Sequence, residues 1–101
     1  LYWYSANNII IAGIVSGLNK ALKSKHFGDM RKWVVDNVDK DASGLYKELY
    51  QNFYDVLKPE TIPAMIILLA EYQYKNAFVA DPELNMVACL TEIMGECKFK
   101  W

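Results

Sequence analysis

The sequence has little of what most site chemistries require. It holds one histidine, His26, and two cysteines, Cys89 and Cys97. No second cysteine pair and no histidine stands at zinc spacing, so no metal motif can be drawn and both thiols read as small core residues. The two cysteines fall on one expected helix, where about 1.5 Å of rise per residue sets their Cα atoms roughly 12 Å apart. A disulfide spans at most about 7 Å, which favours a reduced, intracellular chain. No Ser/His/Asp or Cys/His relay has a fixed local spacing. His26, beside Phe27 at a helix start, reads as structural or solvated. Gly13 and Gly17 lack the Lys-Ser/Thr that would complete a phosphate loop. These gaps argue against an enzyme. The apolar runs at 9–17 and 62–70 fall short of the roughly 18 to 20 residues of a membrane span, and no signal peptide is recognisable. Eleven basic against 12 acidic residues leave a net charge of -1, so no global field selects nucleic acid or an anionic membrane.

What is present is apolar and helical. The 101 residues are 53% hydrophobic and 14% aromatic, with seven tyrosines; they suit one domain with a feasible core. The sequence starts at Leu1, and the unbalanced cluster Leu1-Tyr2-Trp3-Tyr4 is expected to pack on something upstream. Ile10, Ile14, Leu18 and Leu22 mark a first helix over 7–24, weakened by Gly13 and Gly17, with a bend expected near Ser16-Gly17. That Gly-x-x-x-Gly spacing is a weak signal for close helix approach. Phe27, Met30, Trp33 and Val34 mark a second helix over 25–38, and Asp41 or Ser43 is expected to cap a third over 43–57. The third carries two stripes, Leu45/Leu49/Phe53/Val56 and Tyr46/Tyr50/Tyr54/Leu57, wider together than one neighbour requires.

The stretch 61–94 dominates the chain. Ile62 to Ala70 carries no charged or hydrogen-bonding side chain, and a helix apolar all round must be buried all round or meet a partner. A fourth helix is expected over 62–79, capped by Thr61 with Pro63 in its first turn. Asp81-Pro82-Glu83 is a start signal for a fifth: Asp caps, Pro takes the first position, Glu meets the positive end. On it, Leu84, Val87, Ala88, Thr91 and Met94 share one face, with Met86, Cys89, Leu90 and Ile93 beside. No segment alternates with period two. The expected fold is all-α, a compact array of about five helices.

Two groups of residues stand out. Tyr46, Tyr50 and Tyr54 lie at i, i+4 and i+8; if all lay outside the core, the patch would approach the roughly 300 to 600 Å² of a monomer's largest one. With the fourth helix, where Glu71 can pair with Lys75, they suggest a subunit interface, although a five-helix domain could also consume both stripes internally. Lys20, Lys23, Lys25, Arg31 and Lys32 form a modest basic patch, read either as a solvated face or as a phosphate contact.

The ordered series Leu45-Tyr46-x-x-Leu49-Tyr50, Leu57-Lys58-Pro59-Glu60, Leu69-Ala70-Glu71-Tyr72-x-Tyr74-Lys75 and Asp81-Pro82-Glu83-Leu84 resembles the C-terminal collar domain of clamp-loader ATPase subunits. The likeness is to the replication factor C small-subunit type, and within that family to the large subunits of the T-even-type phage loaders. Tyr4-Ser5 and Ala12-Gly13-Ile14-Val15-Ser16 are similar to the family's passage from lid to collar, and the segment 20–33 to its first collar helices. The resemblance implies that residues 1–16 are the end of a lid domain or linker and the start of the first helix, and that 17–101 form the helical collar. It implies an oligomerisation module for DNA replication, holding ATPase subunits in a pentameric ring that loads a sliding clamp on primer-template DNA. Partners would be other loader subunits, with clamp and DNA met through the full complex and no membrane. Interface residues would come from Tyr46, Tyr50, Tyr54, Glu71, Tyr72, Lys75 and Phe78. ATP and Mg belong to an N-terminal module with the phosphate loop, acidic motif and arginine finger, none of which is in this sequence, so no cofactor is expected here. The alternative is a free-standing helical adaptor that binds one partner helix through the tyrosine stripe. Reading upstream of Leu1 in the gene separates them: an encoded Walker-type loop is expected, and a start codon adjacent to Leu1 would count against the collar.

Overall fold

The computed structural model, which describes residues 15–38 and 42–100, is all-α. Helix α1 is described from 15 to 23. It is followed by α2 (Phe27–Asn37), α3 (Ala42–Val56), a short 3-10 turn (Pro59–Thr61), α4 (Ile62–Asn76) and α5 (Pro82–Glu96). The aromatic cluster at 1–5, the start of the first helix and the expected Asp41 cap lie outside the described residues.

Local chemistry sets the helix ends. Helix α1 closes in a Schellman motif: His26 N–H donates to the Ala21 carbonyl at 2.9 Å and Lys25 N–H to that of Leu22 at 3.2 Å. The motif needs a left-handed residue, and Lys25 supplies it with φ of 57° where glycine would be unstrained. His26 then caps α2, its Nδ1 accepting from the Asp29 N–H at 3.2 Å, a structural use of the single histidine. Helix α5 starts as expected: Asp81 Oδ1 accepts from Glu83 N–H at 3.1 Å and Leu84 N–H at 3.3 Å, ahead of Pro82. Thr61 corrects expectation. It makes no cap for α4; its hydroxyl donates to the Lys58 carbonyl at 2.9 Å, because the 3-10 turn started by Pro59 already feeds the helix.

The buried residues show which helix is central. Helix α5 buries Asn85, Met86, Cys89, Leu90, Ile93 and Met94, packing on α4 and α2, while α3 packs on α4. Leu84 and Thr91 of the other expected face are exposed. Helix α4, the more apolar in sequence between 62 and 70, buries only Met65, Leu68 and Leu69. Burial all round, one of the two outcomes the sequence leaves open for this run, is therefore excluded: neighbours cover one side of α4 and leave Ile66 and Ile67 exposed. On α3 the core line runs between the two stripes, through Tyr46, Leu49 and Phe53 and on to Leu57. Val15, Leu18, Ala21 and Leu22 of α1 and Met30, Trp33 and Val34 of α2 complete the core.

Two polar clamps sit among these contacts. Asn19 of α1 and Asn52 of α3 exchange amide hydrogen bonds of 3.1 and 2.8 Å. Buried Asn85 donates to the Tyr46 hydroxyl at 2.9 Å and to the Tyr72 carbonyl at 3.0 Å, tying α5 to α3 and α4. Beyond α5 the chain turns back: Lys58 N–H donates to Lys98 C=O at 2.8 Å and Lys100 N–H to Val56 C=O at 2.9 Å. This single antiparallel bridge pairs Leu57 with Phe99.

Helix α1 is continuous through Gly17 in its described part. A Cβ placed on Gly17 meets nothing within 4 Å, so close helix approach does not use this glycine. Gly17→Ala is expected to raise stability by about 0.5–1 kcal/mol. Urea unfolding checks this, and a loss of stability would show that the position needs glycine.

Candidate functional site

Residues of α4 step by about 100°. With Met65, Leu68 and Leu69 inward, Pro63, Ile66, Ile67, Ala70, Gln73 and Tyr74 occupy the opposite side, and all six are exposed. Ile67 is 65% and Tyr74 71% exposed, a high value for such side chains in a small domain. No charge interrupts this side. The nearest charged groups, Glu71 and Lys75, pair with each other at its rim at 3.0 Å, as their i,i+4 spacing suggests.

Helix α3 extends the surface. Tyr50 and Tyr54 are exposed, their rings edge to face with centroids 6.2 Å apart. Between α3 and α4 lies a groove of about 220 Å³ lined by Tyr46, Lys47, Tyr50, Ile66, Leu69, Ala70 and Gln73. Past the end of α4, Phe78 is 72% exposed, its ring 5.2 Å from that of Tyr74. The result is an apolar face of aliphatic and aromatic groups, larger than the isolated exposed residues that need no explanation.

The seven residues expected at an interface separate into three sets. Tyr50, Tyr54 and Phe78 are exposed on or beside this face. Glu71 and Lys75 form its charged rim. Tyr46 and Tyr72 have hydrogen-bond partners within the domain. Tyr46 is 1% exposed, since its hydroxyl is held by Asn85 inside the core. Tyr72 turns towards α5, where its hydroxyl donates to Glu92 and the Lys75 ammonium lies 4.9 Å over its ring. Sequence reasoning missed Ile66 and Ile67. The signal was there: once Met65, Leu68 and Leu69 are inward, the surplus apolar residues of α4 must point out.

The basic residues Lys20, Lys23, Lys25, Arg31 and Lys32 are all exposed. Of these, Lys23 and Lys25 share a cleft, whose lining includes Lys98 of the returning tail. Among the described residues no group of three His, Cys, Asp or Glu side chains could hold a metal, and no helix is long and apolar enough to cross a membrane. Both cysteines are free and buried. Burial pushes the Cys89 thiol up to about 12, with Glu92 and Cys97 adding to it. Cys97 is pushed up to about 11 by burial and by Glu96. Both stay protonated at neutral pH and are poor nucleophiles. No protein-family model matches the chain, and no curated protein matches it.

Tyr46 is pushed up to about 12 by burial and the nearby Cys89, against the hydrogen bond from Asn85. Tyr72 reaches about 12 mainly because its hydroxyl donates to Glu92. All four groups favour their neutral forms when folded, while the unfolded chain ionises thiols near 9 and phenols near 10. Between these values and about 11 to 12 the folded state binds more protons, so stability falls as pH rises there and is unaffected by these groups below. Melting temperature is expected to be flat from about pH 6.5 to 8.5 with respect to these groups and to fall from about pH 9 upward. Melting curves across that range check it, and a constant melting temperature up to about pH 11 would contradict these placements.

Proposed function

We propose that this chain is an oligomerisation module of the clamp-loader collar type, and that the outward face of α4 with the exposed tyrosines of α3 is its subunit contact. The observation that carries the proposal is the uncharged run Pro63, Ile66, Ile67, Ala70, Gln73 and Tyr74, all exposed on one side of a helix. Apolar surface of this kind gains free energy when a second apolar surface removes it from water, and aromatic side chains are the groups that most often anchor protein interfaces. The rim pair Glu71–Lys75 suits the polar edge such contacts carry. The helical array agrees with the fold that the collar resemblance implies. On this reading the module holds ATPase subunits of a replication clamp loader together inside a cell. The sliding clamp and primer-template DNA are met by the whole assembly, and the chain itself performs no catalysis. The free thiols of Cys89 and Cys97 support a reducing compartment.

The test is mass in solution, by sedimentation of the chain alone and with its companion loader subunit. Self- or co-assembly is expected. Ile67→Glu and Tyr74→Glu should each weaken it by about 2 kcal/mol or more, roughly thirtyfold in Kd. Melting temperature should hardly move, since exposed substitutions usually lie within about 0.5 kcal/mol of neutral. Tyr50→Ala should act in the same direction. A monomer under both conditions overturns the proposal. Capture of a single unrelated helix by the same face would favour the adaptor reading.

A further inference from the structure

A second surface, away from the α4 face, concentrates positive charge in a chain whose net charge is -1. A cleft of about 250 Å³ is lined by Leu22, Lys23 and Lys25 from the end of α1, and by Gly95, Cys97, Lys98 and Phe99 from the end of α5 and the returning tail. Three lysines from two distant stretches thus converge, and no carboxylate lines the cleft. A fourth joins them through backbone register. The Leu57–Phe99 bridge sets Lys58 opposite Lys98. Side chains alternate across an extended strand, so both lie on the side away from buried Leu57. Like charges opposite one another on paired strands repel.

Among the described residues no ion pair includes these lysines. The Lys–carboxylate pair among the described residues is Glu71–Lys75, which includes none of them. Glu60 and Glu96 are near in sequence, and both are exposed. The usual structural use of lysine at a helix C-terminus is to meet open carbonyls. Here the carbonyls of Ala21 and Leu22 are taken by the N–H groups of His26 and Lys25, and that of Ile93 by Cys97. Lys25 is the sharpest case, because it stands at a left-handed position, φ 57°, where glycine would fit without strain.

We infer that this cleft binds the phosphate backbone of a nucleic acid. The donors are flexible ammonium groups on an open surface, with no helix N-terminus and no buried donor aimed at one point. Such a site matches a repeating polyanion, whose bound counterions are released on contact, better than a single fixed phosphate. Phe99, paired with buried Leu57, lines the floor of the cleft and is half-buried. Binding is sequence-independent and independent of the assembly proposed above.

The experiment titrates the full chain with a fluorescein-labelled oligothymidylate of about twelve nucleotides, over about 20 to 200 mM salt. Saturable binding that weakens with salt is expected. The double variant Lys23→Glu/Lys98→Glu should bind at least about tenfold more weakly and flatten the logarithmic salt slope by about 1.4, for two lost contacts on a single strand. Arg31→Glu/Lys32→Glu, the same charge change on α2, should stay within about twofold. Lys25→Gly should weaken binding while raising the melting temperature, a combination that a purely structural lysine would not give. No saturable binding at the lowest salt overturns the inference, as does equal weakening by the α2 pair, which would reflect net charge alone. Parallel titrations with sodium tripolyphosphate and with phosphatidylserine vesicles identify the source. Saturable binding of either without binding of the oligonucleotide would assign the cleft to a small anion or a lipid surface and overturn it as well.

Discussion

The amide of Asn85 is the contact on which the arrangement of this molecule depends. It is buried where three helices meet and gives one hydrogen to the Tyr46 hydroxyl of α3 and one to the Tyr72 carbonyl of α4. A buried amide left without partners costs about 1 to 3 kcal/mol, so α3 and α4 cannot rotate about their axes without that loss. Apolar packing alone is tolerant of such rotation. Because α4 carries large apolar groups around its circumference, a directional contact of this kind helps to decide which of them turn inward. Met65, Leu68 and Leu69 are selected, and Ile66, Ile67 and Tyr74 are left outside.

The helix pattern was legible because it rests on local chemistry. Asp81-Pro82-Glu83 starts α5 by rules that need no knowledge of the rest of the chain, and the Met30/Trp33/Val34 spacing on α2 holds in the fold. The errors arise where tertiary contacts decide. Thr61 has a capping side chain, yet the 3-10 turn and the returning tail claim its hydroxyl. Tyr46 and Tyr50 look equivalent in the stripe, yet one is sealed in the core and the other is exposed. No periodicity distinguishes them, since the difference lies in which neighbour reaches that side of α3. Which helix of the 61–94 stretch is the more buried was not legible for a related reason. Hydrophobic content points to α4, yet α5 buries six residues and α4 three, although each is packed by two other helices.

The two surfaces singled out differ in physical character. The α4 face gains free energy by losing water and is little affected by salt. The lysine cleft works through charge and weakens as salt screens it. They involve different segments, so ionic strength acts on one and leaves the other almost untouched. Neither depends on a titratable group with unusual reactivity, because the four strongly shifted groups are all held in their neutral forms.

The bridge between Leu57 and Phe99 also bears on how the molecule is made. It closes a loop that holds the whole of α4 and α5, and it joins residues far apart in the chain. During synthesis the two helices can pair by nearby contacts as soon as both have emerged. The ladder partners of Val56 and Lys58 arrive only with Lys98 and Lys100. Until then Leu57, fully buried in the finished fold, lacks its cover. This pairing therefore waits until the segment 98–100 is free of the ribosome, and before that Val56 and Lys58 present unpaired backbone groups to whatever surrounds them.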